Sequence, residues 1–234
     1  MTNAPAARLA TRHKEGRDQD ENDDRAVGGT GSRFALADGA STTARAEEWA
    51  ELLVAAYAID GVDILELGVL DELRSHWRER VETAGLPWYA REKLRLGGAA
   101  TFVGVDIDVA HQRYRAIGIG DACLLHLRDG ELIAAGPLDD PRQFGRTPAL
   151  ITTHAGDVSH RAALWEHGDD YTDGDHLVLA SDGLAKYLLE LHRGGARIDV
   201  ATIPGDDDEF RTWVAHARRA GMDNDDTTIC AVRL

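Results

Sequence analysis

The chain has 234 residues, 43% hydrophobic and 29% charged, and a formal net charge of −15 from 41 acidic against 26 basic side chains. These proportions are those of a globular protein with one large domain or two small ones. The acidic balance argues against nucleic acid or an anionic membrane as partner, because phosphate backbones demand clustered Lys and Arg.

In chain order, residues 1–12 read as a flexible tail without an apolar core of signal-peptide length. His13 to Arg25 is densely charged and, taken alone, is a solvated loop. It precedes the apolar run Phe34-Ala35-Leu36-Ala37-Asp38-Gly39, joined through Gly28-Gly29-Thr30-Gly31-Ser32. That linkage predicts a hairpin placing Asp23 or Asp24 beside the Asp38 strand. Arg45–Ile59 sets Trp49, Leu52, Leu53 and Ala56 at helical spacing, and Val69–Ala84 does the same with Leu70, Leu73, Trp77 and Val81. A shorter helix follows Pro87, over Trp88–Leu96, and stops at Gly97-Gly98. The greasy stretch Leu52–Leu70 is broken by Asp60, Asp63 and Glu66, so no membrane span is expected and the default location is cytoplasmic.

The middle of the chain is β-rich: Ala99–Asp108, Arg113–Ile119, Ala122–Leu127 and Leu132–Ala135, the last two joined by an Asp129-Gly130 hairpin turn. Cys123 and Cys230 lie in apolar runs and read as buried, reduced thiols. From Pro137 to Asp175 the pattern is irregular, a flap-like segment whose His154, His160 and His167 read as surface histidines. His176–Ser181 is a strand that delivers Asp182-Gly183 to a helix, repeating the Asp38-Gly39 construction, with glycine admitting a turn and close approach. Asp206–Glu209 caps a helix ending near Gly221, and Thr227–Leu234 is the last strand. Residues 13–234 form one domain on the simplest count.

Asp23/Asp24, Asp38, Asp182 and Asp225 are thus strand-end carboxylates from four distant segments. Separately each is an ordinary turn or cap residue. Together they form an all-oxygen donor set suited to Mg²⁺ or Mn²⁺ rather than structural zinc.

Read in order, the chain resembles the bacterial branch of the type 2C (PPM-type) metal-dependent protein Ser/Thr phosphatases. The matching pieces are Asn22-Asp23-Asp24, Phe34–Gly39, Gly98–Phe102, Gly120-Asp121 with the Arg128-Asp129-Gly130 hairpin, Leu179–Gly183 and Asn224–Thr228. The resemblance implies an α+β fold: a four-layer α-β-β-α sandwich of two mainly antiparallel sheets flanked by helices. A site for two Mn²⁺ or Mg²⁺ ions is then expected between the sheets at one edge. On this resemblance Asp38 bridges the two ions, the Gly39 carbonyl joins the second ion's shell, and Asp182 and Asp225 hold the first. Asp23 takes the place usually filled by Glu, with Asp24 next to it, and Asp121 is structural support. The implied reaction is direct hydrolysis of phosphoserine or phosphothreonine in a protein by a hydroxide bridging the ions, without a phosphoenzyme, opposing a Ser/Thr kinase in signalling. Asp38 and Asp182 are its catalytic carboxylates, and Arg17 is the counterpart of the phosphate-binding arginine.

Three departures stand out. Asp23 is one methylene shorter than Glu, which leaves a contact through water or a substitution by Asp20 open. Ala40 follows Asp-Gly, so no histidine acid is present there. The upstream arginine has no clean match, Arg17 and Arg12 being the candidates. The alternative reading is a catalytically weak or inactive signalling module on the same fold, a pseudophosphatase that binds a phosphoprotein.

Overall fold

A computed structural model describes residues 5–28, 31–82 and 88–234. One sheet contains, in spatial order, β1 (Ala6–Arg12), β11 (Thr227–Arg233), β10 (His176–Ala180), β6 (Cys123–Arg128) and β7 (Glu131–Gly136). The other contains β2 (Arg25–Gly28), β3 (Arg33–Gly39), β4 (Ala99–Asp108), β5 (Arg113–Ile119) and β9 (Trp165–Asp170), with the short β8 (Ile151–Thr152) added to β4. Every described pairing is antiparallel. Helices α1 (Ala46–Ala58) and α2 (Leu67–Val81) cover the second sheet, α3 (Trp88–Arg95) follows them, and α4 (Asp182–Arg193) and α5 (Asp207–Arg219) cover the first. This is the four-layer sandwich expected from the resemblance.

Side-chain alternation along the strands builds the layers. On β3, Phe34 and Leu36 point between the sheets to meet Leu124, Leu177, Leu179, Cys230 and Val232. The intervening Ala35 and Ala37 face α1, where their small size lets Trp49 and Leu53 approach. Trp49 is fully buried and donates from Nε1 to the Ile151 carbonyl at 2.8 Å, so its large apolar area is covered without orphaning its one donor. The third layer places Leu125 and Val178 under Leu184, Leu188, Phe210 and Val214. Among the described residues, no helix is long and apolar enough to cross a membrane. Both cysteines are buried and unbridged.

Three expectations need correction. Residues 6–12 are not a tail: β1 pairs with β11 over seven positions, from Ala6↔Arg233 to Arg12↔Thr227. Its polar, alanine-rich sequence hides this, because as an edge strand it buries only part of one face. The segment 137–175 likewise contains β9, which extends the sheet beyond β5 from Arg113↔Asp170 to Gly118↔Trp165. Trp-Glu-His-Gly-Asp-Asp lacks an apolar run because every second residue of this edge strand faces solvent. His160 is buried, not on the surface, and lies near Arg74, itself fully buried. That guanidinium donates to the carbonyls of Thr152 and Asp157 at 3.0 and 2.6 Å and to Asp71 at 2.8 Å, which ties α2 to the 151–160 segment.

Candidate active site

The carboxylates meet where strands from both sheets end at one edge of the sandwich. Asp38 continues the inward series Phe34, Leu36 on β3, so its side chain emerges between the sheets. Asp24 immediately precedes β2, whose register Arg25↔Ala37 brings it beside Asp38. By the same alternation Asp24 shares the inward face with Ala26, and Asp23 takes the opposite one. Of the acidic pair it is therefore Asp24 that acts on Asp38. Asp23 is influenced instead by Asp226, Glu47, Arg17 and Arg25. Asp182 opens α4 after β10, its Oδ1 taking the Gly183 backbone N–H. Asp225 and Asp226 lead into β11, and Asp121 lies between β5 and β6.

Electrostatics shows that these groups form one cluster. Burial, then the fields of Asp24, Asp182, Asp121 and Asp225, push the Asp38 carboxyl well above the usual carboxylate range. Burial and Asp226 do the same to Asp24. Asp182 is raised to about 6 by burial and Asp225, Asp121 to about 7 by burial and Asp182, and Asp23 to about 6 by burial and Asp226. Mutual repulsion of this kind is relieved by a multivalent cation.

The scaffold that holds the cluster is hydrogen-bonded throughout. Asp226 accepts the backbone N–H groups of Lys14 at 2.7 Å and Asp23 at 2.8 Å, pinning the charged 13–25 segment to the start of β11. Arg218 of α5 donates to the carbonyls of Asp225 at 2.6 Å and His13 at 3.2 Å. Asn22 is buried, donates to Thr11 at 2.8 Å, and accepts the Asp24 N–H at 2.9 Å. Gly39 is needed for packing: a Cβ there would stand 2.8 Å from the Asp23 carbonyl oxygen and 2.9 Å from the Ala46 Cβ. Gly183 is different, since the nearest protein atom to an added Cβ is 3.9 Å away, so protein packing does not require a glycine there.

The residues fit divalent ions on two counts. The donors are all oxygen, the chemistry that suits Mg²⁺ and Mn²⁺. Both Asp24 oxygens are buried and make no hydrogen bond of full geometry, although the Thr228 and Ser181 hydroxyls stand close enough to offset part of the cost of burying the charge. Among the described residues no three carboxylate, imidazole or thiolate groups converge at ligand distance. The side chains turn to local donors instead: Asp225 Oδ1 accepts from the Asp226 N–H at 3.0 Å and from Lys14 Nζ at 3.4 Å.

Two contributors went unrecognised in the sequence. Asp121, read as structural support, belongs to the charge cluster. Lys14 supplies the ammonium that contacts Asp225 and whose field reaches Asp182. The charged run masked Lys14, since nothing in its spacing separates it from Arg12 or Arg17. Arg17 is exposed and acts on Asp23.

No protein-family model matches the sequence, and no curated protein matches it. Solved structures do. The PPM Ser-Thr phosphatase MsPP of Mycobacterium smegmatis, in complex with cacodylate, is 22% identical, with a TM-score of 0.59 and coverage of 98% of each chain. PppA, a regulatory component of the T6SS in Pseudomonas aeruginosa, is 20% identical with a TM-score of 0.62, covering 99% of this chain and 98% of its own. The catalytic domain of the serine threonine protein phosphatase PstP, in complex with two manganese ions, is 22% identical with a TM-score of 0.58, covering 98% of this chain and all of its own. At these identities the likeness establishes the fold, that of the PPM-type phosphatases.

Proposed function

We propose that this chain is a metal-dependent phosphomonoester hydrolase acting on phosphoserine or phosphothreonine in proteins. The observation that carries the reading is the gathering of Asp24, Asp121, Asp182 and Asp225 around Asp38 at one edge of the sandwich, where after burial the fields of all four raise the Asp38 carboxyl pKa. The fold, shared with phosphatases of which one holds two manganese ions, supports it.

Asp38, Asp182 and Asp225 would hold the ions, with Asp24 or Asp23 and the Gly39 carbonyl completing the oxygen set. Two divalent ions bound there supply the positive charge that lowers the pKa of an attacking water and neutralises the phosphoryl oxygens. The chain's own part is placement. Asp38 is fixed by the β3–β4 register Asp38↔Thr101, and Asp182 by the first turn of α4. Lys14, its backbone clamped by Asp226, presents an ammonium at the rim, where it can orient a phosphoryl group. Arg17 stands further out as a second cation.

The decisive experiment is hydrolysis of a phosphothreonine peptide by the purified protein with Mn²⁺, with Mg²⁺ and with chelator, Asp182→Asn alongside. Turnover that requires the metal and disappears in the variant is expected. A folded, metal-loaded protein without turnover would instead identify a phosphoprotein-binding module on the same fold.

A further inference from the structure

β1 and β2 are edge strands, one from each sheet, and between them lies a cleft of 670 Å³. Leu9, Ala10 and Ala26 give it apolar lining. Asp24 also lines it, with two buried carboxylate oxygens that make no hydrogen bond of full geometry. Asp20, Glu47, Glu48 and Asp207 contribute four more acidic side chains from three separate elements.

The two guanidiniums in the lining balance only part of this charge. Arg45 is held by Glu47 at 2.8 Å and Glu48 at 2.7 Å. Arg25 donates through Nη1 to the carbonyls of Asn22 and Asp24 at 2.8 and 2.7 Å, and its Nε faces Glu51 at 3.9 Å. Glu47 and Glu48 are in turn taken up by Arg45, and Glu48 also by Arg80 at 3.4 Å, so among the described residues a ligand meets three carboxylates without an ion pair, Asp20, Asp24 and Asp207, beside an apolar wall able to cover an alkyl stem. Asp24 stands beside Asp38 in the β2–β3 register, so the cleft lies next to the carboxylate cluster.

We propose that this cleft takes an arginine or lysine side chain of the phosphoprotein, near in sequence to the phosphorylated residue, so that the enzyme selects phosphorylation sites in basic segments. The inference rests on the phosphatase reading for its substrate. The chemistry of the cleft itself is independent of turnover.

Two measurements test it, each with paired peptides that differ only in having Arg or Glu beside the phosphothreonine. The first compares kcat/KM. Two or three half-screened ion pairs predict a preference for the Arg peptide of about five- to tenfold at low salt, shrinking as salt rises. In Asp20→Asn/Asp207→Asn the preference should fall to about twofold, while hydrolysis of p-nitrophenyl phosphate, which has no flanking residue, stays as in the parent. The second reads fluorescence anisotropy of the labelled, unphosphorylated peptides in chelator, where the Arg peptide should bind more tightly and the double variant should lose the difference. Equal binding of the two peptides, or a preference that survives in the folded double variant, would overturn the proposal. If no peptide is hydrolysed, the phosphatase reading fails, and anisotropy still decides the cleft.

Discussion

Asp24 and Asp38 stand together because both continue the inward-facing series of neighbouring strands, and that parity was readable from Ala26 and Leu36. Asp38, Asp182 and Asp225 were legible for the same reason: each ends or precedes an apolar strand. Asp121 and Lys14 were not, because a carboxylate in a short connection and a lysine in a charged run look like ordinary surface residues until the fold assembles them. The carboxyl pKa values of Asp23, Asp121 and Asp182, raised to about 6 to 7, have a consequence for stability. Folded, these groups bind protons more tightly than when unfolded, so their contribution is fully present below about pH 4 and is lost as pH rises through 6 to 7. In chelator the melting temperature should fall between pH 5 and pH 8, and Mn²⁺ should restore more of it at pH 8 than at pH 5. A restoration equal at both pH values would contradict this. Lys14→Met should raise KM for a phosphopeptide about tenfold, the scale of one charge-assisted contact, with a smaller change in kcat. An unchanged KM, with inorganic phosphate inhibiting as before, would remove Lys14 from substrate binding.

Among the elements, the helices and the central meander were plain from periodicity, while the two polar edge strands β1 and β9 were not. An edge strand buries half a face, so its composition approaches that of a loop. β1 nevertheless carries the Thr11–Thr228 hydroxyl contact at 2.6 Å and buries Ala10 beside the cluster of α4 and α5. Deleting residues 1–12 should therefore cost several kcal/mol, since seven paired positions and their buried contacts vanish. Chemical denaturation measures this, and an unchanged midpoint would restore the tail reading. At the other end, a Cβ on Gly136 of β7 would overlap the indole of Trp165 on β9. Gly136→Ala should destabilise by about 1–3 kcal/mol through forced repacking.

At the scale of the molecule, layer membership was not legible from periodicity alone. β6 and β10 are covered on both faces and carry apolar residues on each side, so alternation could not assign their sides. The family resemblance carried that part. The end of the sandwich opposite the acidic cluster is fastened by Asp175, buried before β10. It accepts a two-nitrogen contact from Arg128, the Thr172 N–H at 2.9 Å, and His126 at 3.0 Å. Against the cost of burial, those bonds hold its carboxyl well below the usual range. Its contribution is present above about pH 4 and is lost as pH falls further. Asp175→Ala should cost about 3–5 kcal/mol by leaving Arg128 and His126 without their anion, and it should flatten the acid limb of the stability profile. A variant that melts like the parent at pH 7 would show that Arg128 finds another partner.

The position of β11 also matters for how the chain comes to be folded. It lies between β1 and β10, so the strand near residue 230 joins the strand near residue 10 to the rest of its sheet. During synthesis β1 has no sheet partner until residues 227–233 have emerged, and its exposed edge invites pairing with other chains in the interval. Asp225 arrives at the same late moment, as does the Asp226 clamp on Lys14 and Asp23. Assembly of the acidic cluster thereby waits for β11, and a chain stalled before that point lacks both the Asp225 carboxylate and the Asp226 clamp.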